Sequence, residues 1–382
     1  MMGWPISQLT EYPEPKWLVW WRWGLLLLVF IAIGFGISLC FGSWREEDER
    51  LFWLSGFLLP AFIWLIALGI RTSHYLAEAK IREAWERAER ENIAEWQIWS
   101  RMQLPVLAQA LLTPEEKGIE LLIGDPKNIP AFPKKSRPLY ISSLNSDQPA
   151  YAFLTHIHKQ LEDSYPNYRR NLATIYISAH LFTDKALTEV IYHQWDLYPQ
   201  PIESYADLIS ELFASPPDLP VMILSSQYWK NADKQPYSEM VSAQIVSSKR
   251  FIQQMNIEPV IWMGRLMPSS AATLNDDLQQ LFSFNRLSAK DSSGIWLSGM
   301  DKQNSAVLAT FAYQTQLSLN PEHPFHLLDL SFAEAGPEMG GLLSTVAGSA
   351  ARMTGMHQLY LCQSDKSSEG LLLQLMSAEK FN

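Results

Sequence analysis

The chain has 382 residues, 47% of them hydrophobic, and its 40 acidic against 30 basic side chains leave a formal net charge of −10 at pH 7. That balance argues against nucleic acid as a partner, because phosphate binding needs concentrated Lys and Arg, while the hydrophobic share suffices for a large core. Two cysteines, Cys40 and Cys362, give no disulfide framework, which fits a reducing compartment.

The first predicted element is an apolar hairpin from Trp17 to Ile70. Gly24 to Phe41 and Leu51 to Ile70 carry no charge, and each is close to the roughly 20 residues that a helix needs to cross about 30 Å of hydrocarbon. Two transmembrane helices are expected, at about 17–44 and 51–70 within a membrane segment 1–74. Trp17, Trp20, Trp21, Trp23, Trp44, Trp53 and Trp64 lie near their ends, as an interfacial aromatic belt requires. Residues 1–15 hold Glu11 and Glu14 and no Lys or Arg, which opposes a signal peptide. Leu39 before Cys40 opposes a lipoprotein site. Gly34 and Gly36 offer a close-packing spot between the helices.

Orientation follows from the basic residues. Lys16 and Arg22 precede the first helix, and Arg71, Lys80, Arg82, Arg87 and Arg90 follow the second, against only Arg45 and Arg50 in the turn 45–50. The positive-inside rule puts both termini in the cytoplasm. The expectation is a two-pass membrane protein with some 310 residues on its cytoplasmic face.

Residues 75–112 read as a connecting amphipathic helix, with Ile81, Trp85, Ala88, Asn92, Trp96 and Trp99 on one side. That stripe is expected to dock on the soluble domain, and Pro105 to end the helix. Thr113-Pro114-Glu115-Glu116 has the features of a helix start, and the prolines of 127–138 predict an irregular segment. Strands are then expected at 139–142, 173–178, 220–225, 259–263, 294–298, 325–330, 357–361 and 371–375. Helices are expected at 150–163, 184–194, 204–214, 240–255, 271–282, 302–316 and 338–353. This alternation predicts a layered α/β fold with a mixed or largely parallel sheet. The turn-rich stretch Gly264 to Asn275 divides it into halves 113–265 and 266–382.

No chemical motif is complete. There is no G-x-S-x-G; Ser298 before Gly299 and Ser349 after Gly348 lack the second glycine. His156 with His158 and His323 with His326 have no nearby Cys and no H-E-x-x-H pattern, so no metal is expected. The turn Gly336 to Gly341 opens a helix but lacks the Lys-Ser/Thr of a nucleotide loop. No catalytic, cofactor or metal residue is assigned, and no cofactor.

The last part resembles a known layout. Asp329-Leu330-Ser331, a glycine-rich loop, the small-residue helix GGLLSTVAGSAARM, and the strands HQLYLC and GLLLQLM are similar to the closing half of the thiolase-like fold of β-ketoacyl synthases, over about 293–376. Condensing enzymes of that fold use a Cys nucleophile with two His, or with His and Asn. Here 336–341 and the following helix hold no His, and Cys362 sits late in a terminal strand, so the resemblance implies a scaffold or binding role. The whole plan, a membrane anchor followed by a catalytically empty α/β domain, looks like the type VI lipase adaptor family, whose members hold a phospholipase effector for the spike of a type VI secretion system. The expected function is therefore non-enzymatic adaptor, with the lipid bilayer and a protein client (effector, spike protein or both) as partners. The alternatives are an acyl- or lipid-processing enzyme using Cys362 or a histidine, and a structural subunit of a membrane complex.

Overall fold

The computed structural model describes residues 4, 6, 12–40, 49–141, 149–229, 233–287, 292–364 and 367–381. They form two compact units, Ser7–Glu95 and the remainder, Met1–Ile6 with Trp96–Asn382.

In the first unit, helix α1 spans Trp20–Cys40, and a lead-in at Glu49–Trp53 and a π-helical turn at Leu54–Leu58 precede α2, which starts at Leu59. Both helices are long and apolar enough to cross a membrane, with mean hydropathies of 2.4 and 1.8. A Cβ on Gly34 would overlap Pro60 and lie 2.6 Å from the Gly56 carbonyl oxygen, so only glycine admits this approach, whereas a Cβ on Gly36 meets nothing within 4 Å. Ser38 and Ser55 hydroxyls bond at 2.9 Å, and Trp64 Nε1 donates to the Trp23 carbonyl at 3.0 Å. Of the expected turn 45–50, residues 45–48 lie outside the described residues, and Glu49 and Arg50 are helical.

Helix α2 is continuous from Leu59 to Ser100. The second apolar helix and the connecting helix are thus one element, and the helix of the segment 75–112, expected to end at Pro105, stops at Ser100. Leu104–Leu112 is instead strand β1, because the run Leu104-Pro-Val-Leu-Ala-Gln-Ala-Leu-Leu112 is buried on both faces. Pro105 is accommodated inside it: its carbonyl accepts from Ser247 N, and it lies opposite Trp262. Of the tryptophan stripe, Trp85 sits beside Tyr12 in the first unit. Trp99 belongs to the second unit, edge-on to Trp4 and Trp96 and covered by the Arg265 guanidinium 4.1 Å above its ring.

The second unit continues with α3 (Gly118–Ile123), α4 (Pro149–Ser164), β2 (Thr174–Ser178), α5 (Lys185–Trp195), β3 (Gln200–Ile202), α6 (Tyr205–Ala214), β4 (Val221–Gln227), β5 (Met240–Val246) and α7 (Lys249–Met255). It then runs through β6 (Ile261–Met263), β7 (Met267–Ser270), α8 (Leu274–Phe284), β8 (Ser292–Ser298), α9 (Lys302–Gln314), β9 (His326–Leu327), α10 (Leu328–Phe332), α11 (Met339–Thr354), β10 (His357–Ser364) and β11 (Ser367–Ser377). Asp184, Ser204, Ser248 and Asp301 cap α5, α6, α7 and α9 through side-chain oxygens, which is why these helices start where they do.

Several expectations are corrected. Residues 240–255 are not one helix: Val241, Ala243 and Ile245 alternate to one face of β5, and α7 begins only after the Ser248 cap. No strand forms at 139–141, where Tyr140 N donates to the Thr113 carbonyl, and Ser142 lies outside the described residues. Thr113 Oγ1 accepts from Glu115 N in a local turn, and the helix waits until Gly118. The strand expected at 325–330 shrinks to His326–Leu327. The turn-rich stretch 264–275 contains β7, paired with β11.

Among the described residues the strands form one mixed sheet in the order β3-β2-β4-β5-β1-β6-β11-β10-β8-β9, with β7 also beside β11. Strands β2, β3 and β4 are mutually parallel and β5 runs against both β4 and β1. In the later part β8, β9 and β10 are parallel and β11 runs against β10, β6 and β7. The same order, third-second-fourth-fifth-first with the fifth strand reversed, therefore occurs twice; in the second copy the first strand is split into β6 and β7. The two copies of the sheet are joined through the pairing of Leu104–Val106 with Ile261–Met263.

Alternate residues of the strands feed different cores, as a period of two demands. Met222 and Leu224 face α4, α5 and α7, while Val221 and Ile223 share a central core with α6 and α11. In the second copy Tyr360 and Cys362 face that central core, and Leu359 and Leu361 face α8 and α9. The result is five layers, helix–sheet–helix–sheet–helix. Helix α11 packs against strands of both copies, from β4 to β8, so the sheet bends around it at the short β1–β6 joint.

Candidate functional site

The two central helices, α6 from the first copy and α11 from the second, meet at their amino-terminal ends. A Cβ on Gly340 would lie 3.2 Å from the Tyr205 ring, and one on Gly341 3.4 Å from its other edge. Two helix N-termini directed at one spot create positive potential and free N–H groups, the setting in which an α/β fold places a ligand. Here the spot is filled. Tyr205, the first residue of α6, is buried against the glycines.

Behind it runs a polar network through the central core. The Tyr360 hydroxyl donates to Gln374 Oε1 at 2.6 Å, Gln374 Nε2 donates to the Gly264 carbonyl at 2.7 Å, and Ser344 Oγ donates to Gln244 Oε1 at 3.3 Å. Burial pushes both the Tyr205 and the Tyr360 hydroxyls well above the usual phenol range, so both stay neutral. Cys362 lies beside them with no solvent exposure, in the middle of β10. The thiol there is packed into the central core.

The other sequence candidates are dispersed. Ser298 Oγ donates to Asp329 Oδ1 at 2.6 Å, and Asp329 Oδ2 accepts from Gly299 N at 2.7 Å. Burial raises the Asp329 carboxyl, and the pair fixes the turn at Gly299, whose φ is +68°. Ser349 Oγ accepts from Gln109 Nε2 at 3.1 Å. His156 bonds the Ala152 carbonyl within its own helix, and His158 Nδ1 meets the Tyr168 hydroxyl at 2.8 Å, which also receives Trp195 Nε1. Among the described residues no group of three or more His, Cys, Asp or Glu could hold a metal ion.

One hydroxyl–imidazole–carboxylate set does occur, missed in the sequence because its members are 160 residues apart. Ser178 Oγ lies 3.0 Å and Glu338 Oε1 3.4 Å from His180. Both contacts fall on the same nitrogen, Nδ1. An imidazole that takes a hydroxyl's proton on one ring nitrogen while a carboxylate orients it through the other needs one partner on each nitrogen, so this set is not arranged as a nucleophilic triad. Tyr205 and Glu338 carried no sequence signal beyond their helix starts.

His323 and His326 do come together, with ring centroids 4.7 Å apart, and His326 stacks on Trp296 at 4.1 Å with 12° between planes. Burial, and then the neighbouring His323, holds His326 down to about 4, against a weaker opposing bond with the Leu122 backbone. The unfolded chain takes up this proton near pH 6.5, so it binds more protons than the folded chain between there and pH 4. Stability is therefore expected to fall as pH drops through that window, by on the order of 2 kcal/mol for this group after allowance for partial exposure. The raised carboxyls of Asp277 and Asp329 act with the opposite sign. Denaturation at pH 7 and pH 4.5, in wild type and His326→Phe, isolates the histidine: the variant should lose less stability on acidification.

No protein family and no curated protein matches the sequence. Among solved structures, the chain is similar to a type II PKS acyl-carrier protein in complex with its ketosynthase, at 11% identity and a TM-score of 0.49 over 72% of this chain and 99% of that one. It is similar to a β-ketoacyl synthase from Burkholderia phymatum STM815 at 7% identity, TM-score 0.47, covering 72% and 99%. It is also similar to the peroxisomal 3-ketoacyl-CoA thiolase of Saccharomyces cerevisiae at 8% identity, TM-score 0.46, covering 73% and 99%.

Proposed function

We propose that this chain is a non-enzymatic adaptor, tethered to the bacterial inner membrane by α1 and the start of α2, that binds a protein client on its α/β unit in the cytoplasm. The client is a lipase effector held for loading onto a type VI secretion spike. The observation that carries the reading is the closed meeting point of the central helices: Tyr205 packs against Gly340 and Gly341 and fills the spot to which both helix N-termini point. Cys362, the thiol on which an acyl-processing enzyme would rely, is sealed in mid-strand. Tethering supports the role physically, since confinement at the membrane raises the effective concentration of a binder for anything assembled there.

Co-expression of the full chain with a lipase effector, followed by purification in detergent and size-exclusion chromatography with light scattering, tests the reading. A complex of fixed stoichiometry is expected; an effector that elutes alone, and reaches the spike equally well without this chain, overturns it. Reporter fusions at Asp48 and Asn382 test the address: the turn should be external and the terminus cytoplasmic, and an external Asn382 contradicts the proposal.

A further inference from the structure

We propose that residues 333–338, between α10 and α11, form a strap that is held closed under strain and opens as a unit, without unfolding of the sheet, to bare the amino-terminal turn of α11. This does not depend on the adaptor reading.

The strain starts at Ala333. Asn167, Asp196 and Asn256 also have positive φ, but they sit at helix ends in the ordinary left-handed helical region, with ψ of 23°, 25° and 49°. Ala333 has φ +66° and ψ −161°, a region that belongs essentially to glycine because a Cβ crowds the backbone there. The residue is 2% exposed, and the fold pins it. Tyr237 pairs with it in an isolated antiparallel bridge, and Ser238 N donates to the preceding carbonyl, that of Phe332, at 3.2 Å.

Three residues on, the strap presses on a buried amide. A Cβ on Gly336 would overlap Gln227 Oε1 and lie 3.0 Å from the Tyr237 ring. Gln227 is 3% exposed, and its Nε2 donates to the Ser238 carbonyl at 3.0 Å, while its Oε1 has no hydrogen-bond partner among the described residues. With Gly336 against it, that oxygen is shut off from water; an open strap hydrates it. The orphaned acceptor and the conformation of Ala333 each favour opening by on the order of tenfold.

Closure is held by Ala335, packed on the central core, and by Glu338, whose Oε1 lies 3.4 Å from His180 Nδ1. Phe332 and Met339, 3% and 6% exposed in that core, fix the two ends. The middle has room to move. Glu334 and Pro337 are exposed, and a cleft of about 220 Å³ separates residues 335–337 from Gln363, Ser364 and Leu372 of β10 and β11. Gly340, in the first turn of α11, lines the same cleft, so lifting the strap opens that turn to solvent.

The test is digestion of the purified full chain in an amphipol by a glutamate-specific protease, with the rate at each bond timed by mass spectrometry. Cleavage of a folded chain tracks the population of the locally open form. Glu334 lies in the strap. Glu239, 6% exposed at the start of β5 and bonded to Leu139 N and Trp229 N, becomes accessible only with the sheet. Cleavage after Glu334 should be at least tenfold faster than after Glu239. In Ala333→Gly, which relieves the strain, cleavage after Glu334 should slow by about fivefold. Glycine's added freedom in the open strap acts in the other direction, so slowing reports relief of strain. A rate after Glu334 less than tenfold above that after Glu239 in the wild type, or a rate that is unchanged or faster in Ala333→Gly, overturns the proposal.

Discussion

Trp296→Ala is expected to cost about 3–5 kcal/mol, the range for truncating a fully packed aromatic, and to lower the Tm of the α/β unit by about 10 °C. The side chain is 1% exposed, in a strand flanked by β10 and β9, and contributes to the central core. Its loss removes the stack under His326 and the bond to Gln358. Both partners reach this ring from different elements, so the site cannot collapse around an alanine without moving β9. Thermal unfolding followed by near-ultraviolet circular dichroism measures the effect. A loss below about 1 kcal/mol would mean that the ring is not the packed element that the geometry describes.

Gly341→Val should cost about 3 kcal/mol, at the upper end for overpacking a core. A Cβ there would overlap Ser225 Oγ and lie 2.9 Å from Ser225 Cβ, a contact that no flexible side chain can relieve. Strand β4 would have to separate from α11, and with it the seat of α11 between the two copies. Ser225→Gly should rescue part of the loss in the double variant, which a double-mutant cycle by urea denaturation can measure. Additive costs would show that the helix and strand do not meet as described.

The layered α/β class was legible because most strands are short apolar runs separated by helical patterns, as at Thr174–Ser178 and Val221–Gln227. Strand β1 was hidden by its proline and by its continuity with the apolar pattern of α2. Strand β5 was legible in the alternation of Val241, Ala243 and Ile245 with Ser242 and Gln244, the period-two signal of a strand, which the single helix expected over 240–255 passed over. The likeness seen in 293–376 concerned one copy. The first copy has the same strand order, but its strands are scattered over residues 104–246 with different side chains, and pairing order is not written in composition. The centre of the molecule was illegible for another reason. Nothing local distinguishes Tyr205 from any surface tyrosine after a Ser cap, and only the approach of Gly340 and Gly341 from the other copy makes it a plug. Conversely, the histidines three apart at 323 and 326 were visible, but the Trp296 that fixes them was not associated with them until the parallel pairing of Trp296 with His326 was seen.

The most direct measurement of the central claim is acyl-thioester and phospholipid turnover by the purified full chain, beside Cys362→Ala and His326→Ala. The adaptor account predicts rates indistinguishable from buffer for all three proteins. Turnover above background in the wild type that is abolished in either variant would contradict it.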